Sequence, residues 1–300
     1  MIGAAAFTES RLKAWLLAAR VPTLAAAVVP VLVGTAAAAG IGRFDPLPFI
    51  AALVGSVCIQ IGTNYANDAA DFLRGADTPQ RKGPTRATLS GLLSPRQVMT
   101  GAFVCFGIAA LVGVYLVTLR GWPLLVAGVL SIASGLAYTG GPWPLGYHGL
   151  GEVFVFVFFG VVAVTGSAYV QLGEISTLAL AASVPVGLLC TAILVLNNLR
   201  DIETDRAAGK RTLAVRMGAP ATRALYLVCL VGGVAAPAVI RAAGLVGAWF
   251  WLPWLALPLM ASLGRLAVGH SDAPALNRGL KRTAQMHLLY GALFAASLLW

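Results

Sequence analysis

The sequence predicts an all-α fold: a polytopic transmembrane helical bundle of about nine spans. Three observations carry this expectation. Hydrophobic residues make up 59% of the 300 and charged residues only 11%, whereas a water-soluble chain carries about 25% charge. Lipid is therefore the solvent for most of the surface. Apolar runs recur at a length matched to a bilayer, since a spanning helix needs roughly 20 residues. No hydrophilic segment is long enough to fold alone, so residues 1–300 read as a single membrane domain with a rim built from loops.

Taken in order, the candidate spans are 14–40, 47–66, 97–118, 122–139, 152–171, 177–197, 222–240, 246–264 and 284–300. The first contains Pro22 and Pro30, and the eighth Pro253 and Pro258, which neighbouring helices can accommodate. Met1–Ser10 is only mildly apolar, and the long apolar run follows Arg11, Lys13 and Arg20 without a clear cleavage site. It reads as a retained first span rather than a cleaved signal. Cys58, Cys105, Cys190 and Cys229 fall inside apolar runs without metal-ligand spacing and read as small buried side chains.

The basic balance, 21 Lys and Arg against 11 Asp and Glu, follows topology rather than a nucleic-acid surface. With a cytoplasmic N-terminus and nine spans, only Arg43, Arg120 and Arg241 fall outside, and the other 18 basic residues lie at the cytoplasmic side. The predicted outer connections are short, at Gly40–Pro46, Arg120–Trp122, Leu172–Ser176 and Ala242–Leu245. The longer loops, Phe72–Pro95, Gly140–Gly151, Leu199–Ala221 and Ala267–Thr283, all face inward. These features predict a multi-pass protein of the cell membrane.

Two acidic segments concentrate the chemistry. Span two ends in Asn64-Tyr-Ala-Asn67-Asp68-Ala-Ala-Asp71, with Asp77 beyond it. Span six ends in Asn197-Asn198-Leu-Arg200-Asp201-Ile-Glu203-Thr-Asp205. Asn64, Asp68 and Asp71 share one helical face, as do Asn198, Asp201 and Asp205. Each closes an even-numbered span and is followed by a basic loop, a faint internal repeat. Ionisable groups at membrane depth are costly and mark function. Such carboxylates repel one another unless cations lie among them, and magnesium takes one or two carboxylates plus phosphate oxygens. The expected site is a magnesium-bridged diphosphate, with Asp68, Asp71, Asp201 and Asp205 as metal ligands and Lys210, Arg211 and Arg81 on the remaining phosphate oxygens. Solvated helix-end charges and a cation pathway of a coupled transporter are the competing readings. Neither accounts for acids clustered at one membrane face beside phosphate-sized basic loops.

These segments resemble the two Asp-rich motifs of the UbiA-type membrane prenyltransferases. Asn67-Asp68-Ala-Ala-Asp71 is similar to their first motif, although Asp77 follows at a longer spacing than in some branches. Asn198-Leu-Arg200-Asp201-Ile-Glu-Thr-Asp205-Arg-Ala-Ala-Gly209-Lys210-Arg-Thr212-Leu213 resembles the second. A third segment, from Tyr138 to Glu152 and on to Gln171, looks like the 1,4-dihydroxy-2-naphthoate polyprenyltransferase branch. The resemblance implies helices around a central cavity open to lipid. It also implies Mg2+ as cofactor, and a polyprenyl diphosphate and an aromatic acceptor as substrates. The implied reaction loses carbon dioxide and diphosphate and gives demethylmenaquinone. The nearest alternatives are other aromatic acceptors, 4-hydroxybenzoate or homogentisate.

The resemblance also implies roles for Asn64, Asn67, Asn198 and Arg200 beside the substrates. Arg20 reads either as a bidentate partner for the acceptor carboxylate or as a cation snorkelling to headgroups. Tyr138 is the preferred aromatic candidate, as a cation stabiliser or proton acceptor, ahead of Tyr147 and His148. Interfacial belt positions are the plainer reading of the two tyrosines, and His148 is the weaker candidate. Glu152 reads as a helix-start charge. Phe154, Phe156, Phe158 and Phe159 read as a prenyl channel or as lipid-facing packing.

Overall fold

A computed structural model describes residues 2–77 and 81–300, with side chains from Arg11 onward. Met1 and the backbone of residues 78–80, within the predicted Phe72–Pro95 loop, lie outside the described residues, as do the side chains of the Met1–Ser10 segment read above as part of a retained span. The described chain forms α1 (Ile2–Ala19), α2 (Ala25–Ala39), α3 (Pro46–Leu73), α4 (Pro95–Arg120) and α5 (Trp122–Ala137). It continues through α6 (Gly151–Leu172), α7 (Thr177–Ala207), α8 (Leu213–Ala242), α9 (Ala248–Gly269) and α10 (Ala273–Ser297). Among the described residues, seven segments are long and apolar enough to cross a membrane; α5 is shorter, at 16 residues, and α10 has 25.

Three expectations need correction. The predicted span 14–40 is not one helix. Pro22 cannot donate an amide hydrogen bond, and its ring disfavours the α conformation of Val21. The chain turns at Arg20, whose φ of 52° lies in the left-handed region, and restarts as a short 3₁₀ turn leading into α2. Most of the predicted loop Leu199–Ala221 is helical, because α7 runs to Ala207 and α8 starts at Leu213. The predicted loop Ala267–Thr283 reduces to the three-residue gap between α9 and α10. In the last two cases charged residues made a helix look like a loop; they occupy helical turns that extend past the apolar layer.

Helix starts follow local chemistry. Asp45, Ser94, Ser176, Thr212 and Asp272 each accept a backbone N–H from the first turn of the following helix, and Ser94 with Gln97 completes a reciprocal capping box. Gly218, with φ of 78° and ψ of 169°, kinks α8 just before Pro220.

α2 and α7 form the centre. α2 packs on α3, α6, α7 and α10, and α7 packs on α6, α8 and α10. Lipid tails are as apolar as leucine, so close packing must hold these helices together. Small residues permit it. A Cβ on Gly34 of α2 would meet the Val164 carbonyl oxygen of α6 at 2.1 Å, and one on Gly160 of α6 would meet the Gly187 Cα of α7 at 2.7 Å. One buried cluster joins α2 and α6–α10 through Val29, Leu189, Tyr226, Met260, Tyr290 and Phe294. A second joins α1, α3 and α4 through Ala14, Tyr65, Val98 and Phe106. Outward residues such as Leu111 and Val114 of α4, 74% and 62% exposed, are apolar, as a lipid-facing surface requires.

α5 packs on α3 and α4 and contributes no buried residue. Between the α3–α5 group and the α6–α7 group lies a cavity of about 420 Å³, with one side of its wall formed by this loosely held helix. The two halves are tied at the end remote from the acids. There Arg120 donates to the carbonyl oxygens of Val170 and Gln171 at 2.8 Å each.

Candidate active site

α3, with 28 residues, and α7, with 31, are both longer than the hydrocarbon layer needs, about 20 residues. Each carries its acidic residues in its last turns, so both acidic ends stand at one rim of the bundle. Asp71, Asp201 and Asp205 line the cavity there, with Asn64, Asn67, Asn197, Asn198, Arg20, Arg81, Arg86 and Lys210. The wall then runs through Thr63 and Tyr138 to Val112, Leu116, Leu124, Phe158 and Val162. One end is thus charged and the remainder is apolar.

Asp71 is the most heavily engaged acid. Its Oδ1 accepts from Lys210 Nζ at 3.0 Å and from the Tyr147 hydroxyl at 2.7 Å, and its Oδ2 pairs with Arg86 Nη2 at 3.2 Å. Lys210 also stands 4.7 Å above the Tyr147 ring, so one ammonium is shared between a carboxylate and a π face. Burial and the neighbouring Asp71 carboxylate push the Tyr147 hydroxyl above its ordinary range. Asp77 pairs with Arg81 and, at 3.3 Å, with Arg86. Its burial raises the carboxyl above its usual value despite the lowering by Arg81.

Several predicted residues stand behind the wall rather than in it. Asp68 accepts from Thr88 Oγ1 at 2.5 Å and from the Ala87 amide at 3.2 Å, which fastens the loop after α3 onto that helix. Arg200 forks onto Asp201 at 2.8 and 2.5 Å and also binds Asn197 and Asn277, so it orients Asp201 from outside the cavity. The Arg211 side chain is exposed, and its backbone amide binds the Tyr147 carbonyl at 2.9 Å. His148 stacks on Trp143 at 4.1 Å and is bonded at Nδ1 to the Pro144 carbonyl. Asn64 and Asn67 do lie in the wall and are also held from behind: Asn64 donates to the Ala19 carbonyl and Thr23, pinning the break at Arg20, and Asn67 accepts from Thr139. Phe154, Phe158 and Phe159 line the cavity and Phe156 does not. Instead, Phe156 packs on Gly187, where α6 makes a π-helical turn over Phe156–Val162. Such turns re-aim side chains.

Arg20 reaches the wall with its Nη2 buried and unpartnered. A buried guanidinium nitrogen without an acceptor is costly and points to an absent anion. Arg86 was not foreseen, yet it is buried between Asp71 and Asp77. The available signal was Asp77 itself, since a buried carboxylate requires a cation and the following loop supplies three. Asn197 lines the cavity beside the predicted Asn198.

Among the described residues, no three acidic, histidine or cysteine side chains converge as a ready-made metal cluster. Of the four carboxylates in the predicted ligand set, Asp71, Asp201 and Asp205 line the cavity and Asp68 does not. Asp68 is turned to the loop and Asp71 is neutralised by two cations. What the charged end of the wall does offer is the carboxylates of Asp71, Asp201 and Asp205 and the amide groups of Asn64, Asn67, Asn197 and Asn198. An oxygen donor set of that kind suits a hard cation that takes part of its coordination from water and phosphate.

The sequence matches the profile of the UbiA prenyltransferase family over residues 27–289. It is 38% identical over 291 residues to the 1,4-dihydroxy-2-naphthoate octaprenyltransferase of Escherichia coli (strain K12), covering 95% of this chain and 94% of that one. The Mycobacterium tuberculosis (strain ATCC 25618 / H37Rv) protein of the same name is 43% identical over 248 residues, covering 77% of this chain and 85% of the relative. The fold superposes on a UbiA homolog from Aeropyrum pernix K1 with a TM-score of 0.70 at 19% identity, over 89% of this chain and 96% of that one. A UbiA homolog from Archaeoglobus fulgidus, solved bound to DMAPP and Mg2+, superposes at 0.64 and 14% identity, over 94% of this chain and 99% of that one.

Proposed function

Because the chain belongs to the UbiA prenyltransferase family, we propose that it transfers a polyprenyl chain from its diphosphate to 1,4-dihydroxy-2-naphthoate, with loss of carbon dioxide and diphosphate, giving the hydroquinone demethylmenaquinol, whose separate oxidation yields demethylmenaquinone. The observation that carries this reading is the two-part cavity, charged at one end and apolar along the rest. It matches a substrate with a diphosphate head and a hydrocarbon tail. The names of the relatives at 38% and 43% identity support the naphthoate as acceptor.

The division of labour follows from the wall. Lys210, Arg81 and Arg86 hold the diphosphate and draw electron density from the allylic C–O bond. Asp71, Asp201 and Asp205, with the amide oxygens beside them, would hold magnesium, which supplies Lewis-acid neutralisation of the leaving group. Tyr138 presents its ring where the allylic carbon emerges, and the apolar wall beyond it excludes water from the developing cation. Arg20, with its free Nη2, binds the acceptor carboxylate and turns the electron-rich ring toward that carbon. We place the acidic rim at the cytoplasmic face, in keeping with the distribution of basic residues.

The deciding experiment is mass spectrometry of the lipid product formed by purified protein from 1,4-dihydroxy-2-naphthoate and a polyprenyl diphosphate, with 4-hydroxybenzoate and homogentisate as competitors. A decarboxylated prenyl naphthohydroquinone, or the quinone it forms on oxidation in air, is expected. Preferential prenylation of either competitor would overturn the choice of acceptor, and absence of diphosphate release with all three would overturn the reaction class.

A further inference from the structure

Consecutive asparagines on α7 face different tasks. Adjacent helical positions lie about 100° apart. Asn197 Oδ1 accepts from Arg200, on the side that orients Asp201. Asn198 instead donates through Nδ2 to Glu152 Oε1 of α6, at 2.9 Å. Both asparagines line the cavity. Glu152 stands just behind that wall, 6% exposed, and its Oε2 is buried without a partner. A carboxyl group kept in that state costs stability, and an apolar side chain would fill the position more favourably. Packing alone therefore does not account for it.

Its consequence is directional. A side-chain amide has one donor end and one acceptor end. With the Asn198 N–H₂ group engaged by Glu152, the Oδ1 end is left over, and among the described residues it accepts no protein hydrogen bond. Tyr138 brings its ring to the same stretch of wall, because Gly151 has no side chain; a Cβ there would lie 2.8 Å from the tyrosine hydroxyl. The two features define a flat, partly polar slot next to the charged end. We propose that Glu152 is a positioning residue for the aromatic acceptor: it fixes the Asn198 amide so that Oδ1 accepts a hydrogen bond from a ring hydroxyl. This rests on the aromatic-acceptor reading above. Accepting that bond raises the electron density of the ring and selects acceptors that carry a hydroxyl at that place.

The test compares steady-state kinetics of wild type, Glu152→Leu, Glu152→Gln, Asn198→Asp and the exchanged pair Glu152→Gln/Asn198→Asp. The acceptors are 1,4-dihydroxy-2-naphthoate and its two monomethyl ethers. Loss of one neutral hydrogen bond should raise the naphthoate KM roughly three- to tenfold in Glu152→Leu, with the donor KM unchanged. One ether should be a poorer acceptor than the parent for wild type, and Glu152→Leu should no longer discriminate against it. Glu152→Gln, which still offers an oxygen to Asn198, should stay near wild type. Asn198→Asp sets two carboxyl groups against each other and should lose naphthoate affinity, and the exchanged pair should recover it. If Glu152→Leu does not fold, that recovery decides. A failure of the exchanged pair to recover, equal shifts in donor and naphthoate KM, or an ether penalty that survives in Glu152→Leu would overturn the assignment while leaving the overall reaction intact. Wild-type protein that transfers no prenyl group to the naphthoate would overturn the reaction and this assignment together.

Discussion

Asp71 and Asp68 are three residues apart on one helix, yet they face different chemistry. Asp71 gathers Lys210, Arg86 and Tyr147 at the cavity wall, while Asp68 is spent on Thr88 and the Ala87 amide. Asp71→Asn should therefore abolish diphosphate release with every acceptor, because a charged group is lost in a low-dielectric site. Asp68→Asn keeps an oxygen for Thr88 and should leave measurable turnover with a raised donor KM; equal loss in both variants would refute the distinction. Arg86 neutralises two buried carboxylates at once. Arg86→Leu should lower unfolding stability in detergent by about 3–5 kcal/mol, since removing one partner strands buried charge. Arg20→Ala should reduce kcat/KM for the naphthoate about ten- to hundredfold through one lost charge-assisted contact, leaving donor affinity as it was. Unchanged acceptor kinetics would return Arg20 to a headgroup anchor.

At the level of the helix, the site depends on how closely α6 and α7 approach. Gly160 sits where its absent side chain would strike the Gly187 Cα and the Ser183 carbonyl oxygen, at 2.7 and 2.9 Å. Both contacts are backbone and cannot swing away. Gly160→Val should separate the two helices, lower stability by about 1–3 kcal/mol, and loosen the Glu152–Asn198 contact one end removed. Thermal unfolding in detergent, read with the naphthoate KM, checks both effects. The same change at Gly107, which has open space around it, should do neither.

For the whole molecule, the α3–α5 and α6–α7 groups meet around a cavity charged at one end and apolar along the rest, the two-part shape that the proposed diphosphate and prenyl chain require. Chelation of divalent ions should stop turnover and magnesium should restore it; full activity in excess chelator would exclude the metal-bridged leaving group. The helix count sets the topology. With α2 through α10 each crossing once, the two termini lie on opposite sides, so a reporter fused after Trp300 should read as extracytoplasmic. A cytoplasmic signal would show that α10, which is less apolar than the others, does not cross.

Composition alone made this a membrane bundle, because 11% charge cannot solvate 300 residues in water. The acidic helix faces were equally legible, since helical periodicity is a property of the local chain. Asp71, Asp201, Asp205 and Lys210 do share one wall. What the sequence could not determine is which member of each face turns inward. Asp68 and Arg200 carry the same chemical types as their neighbours, and only the packing of the loop after α3 and of α10 turns them away from the cavity. Arg86 is silent in the sequence for the complementary reason. It lies in a loop without periodicity, and its burial exists only once Asp71 and Asp77 are brought to it. The pairing of Glu152 with Asn198 joins residues 46 apart along the chain. Periodicity assigns a residue to a helical face, but partners across helices are fixed by how tightly the small residues let those helices close.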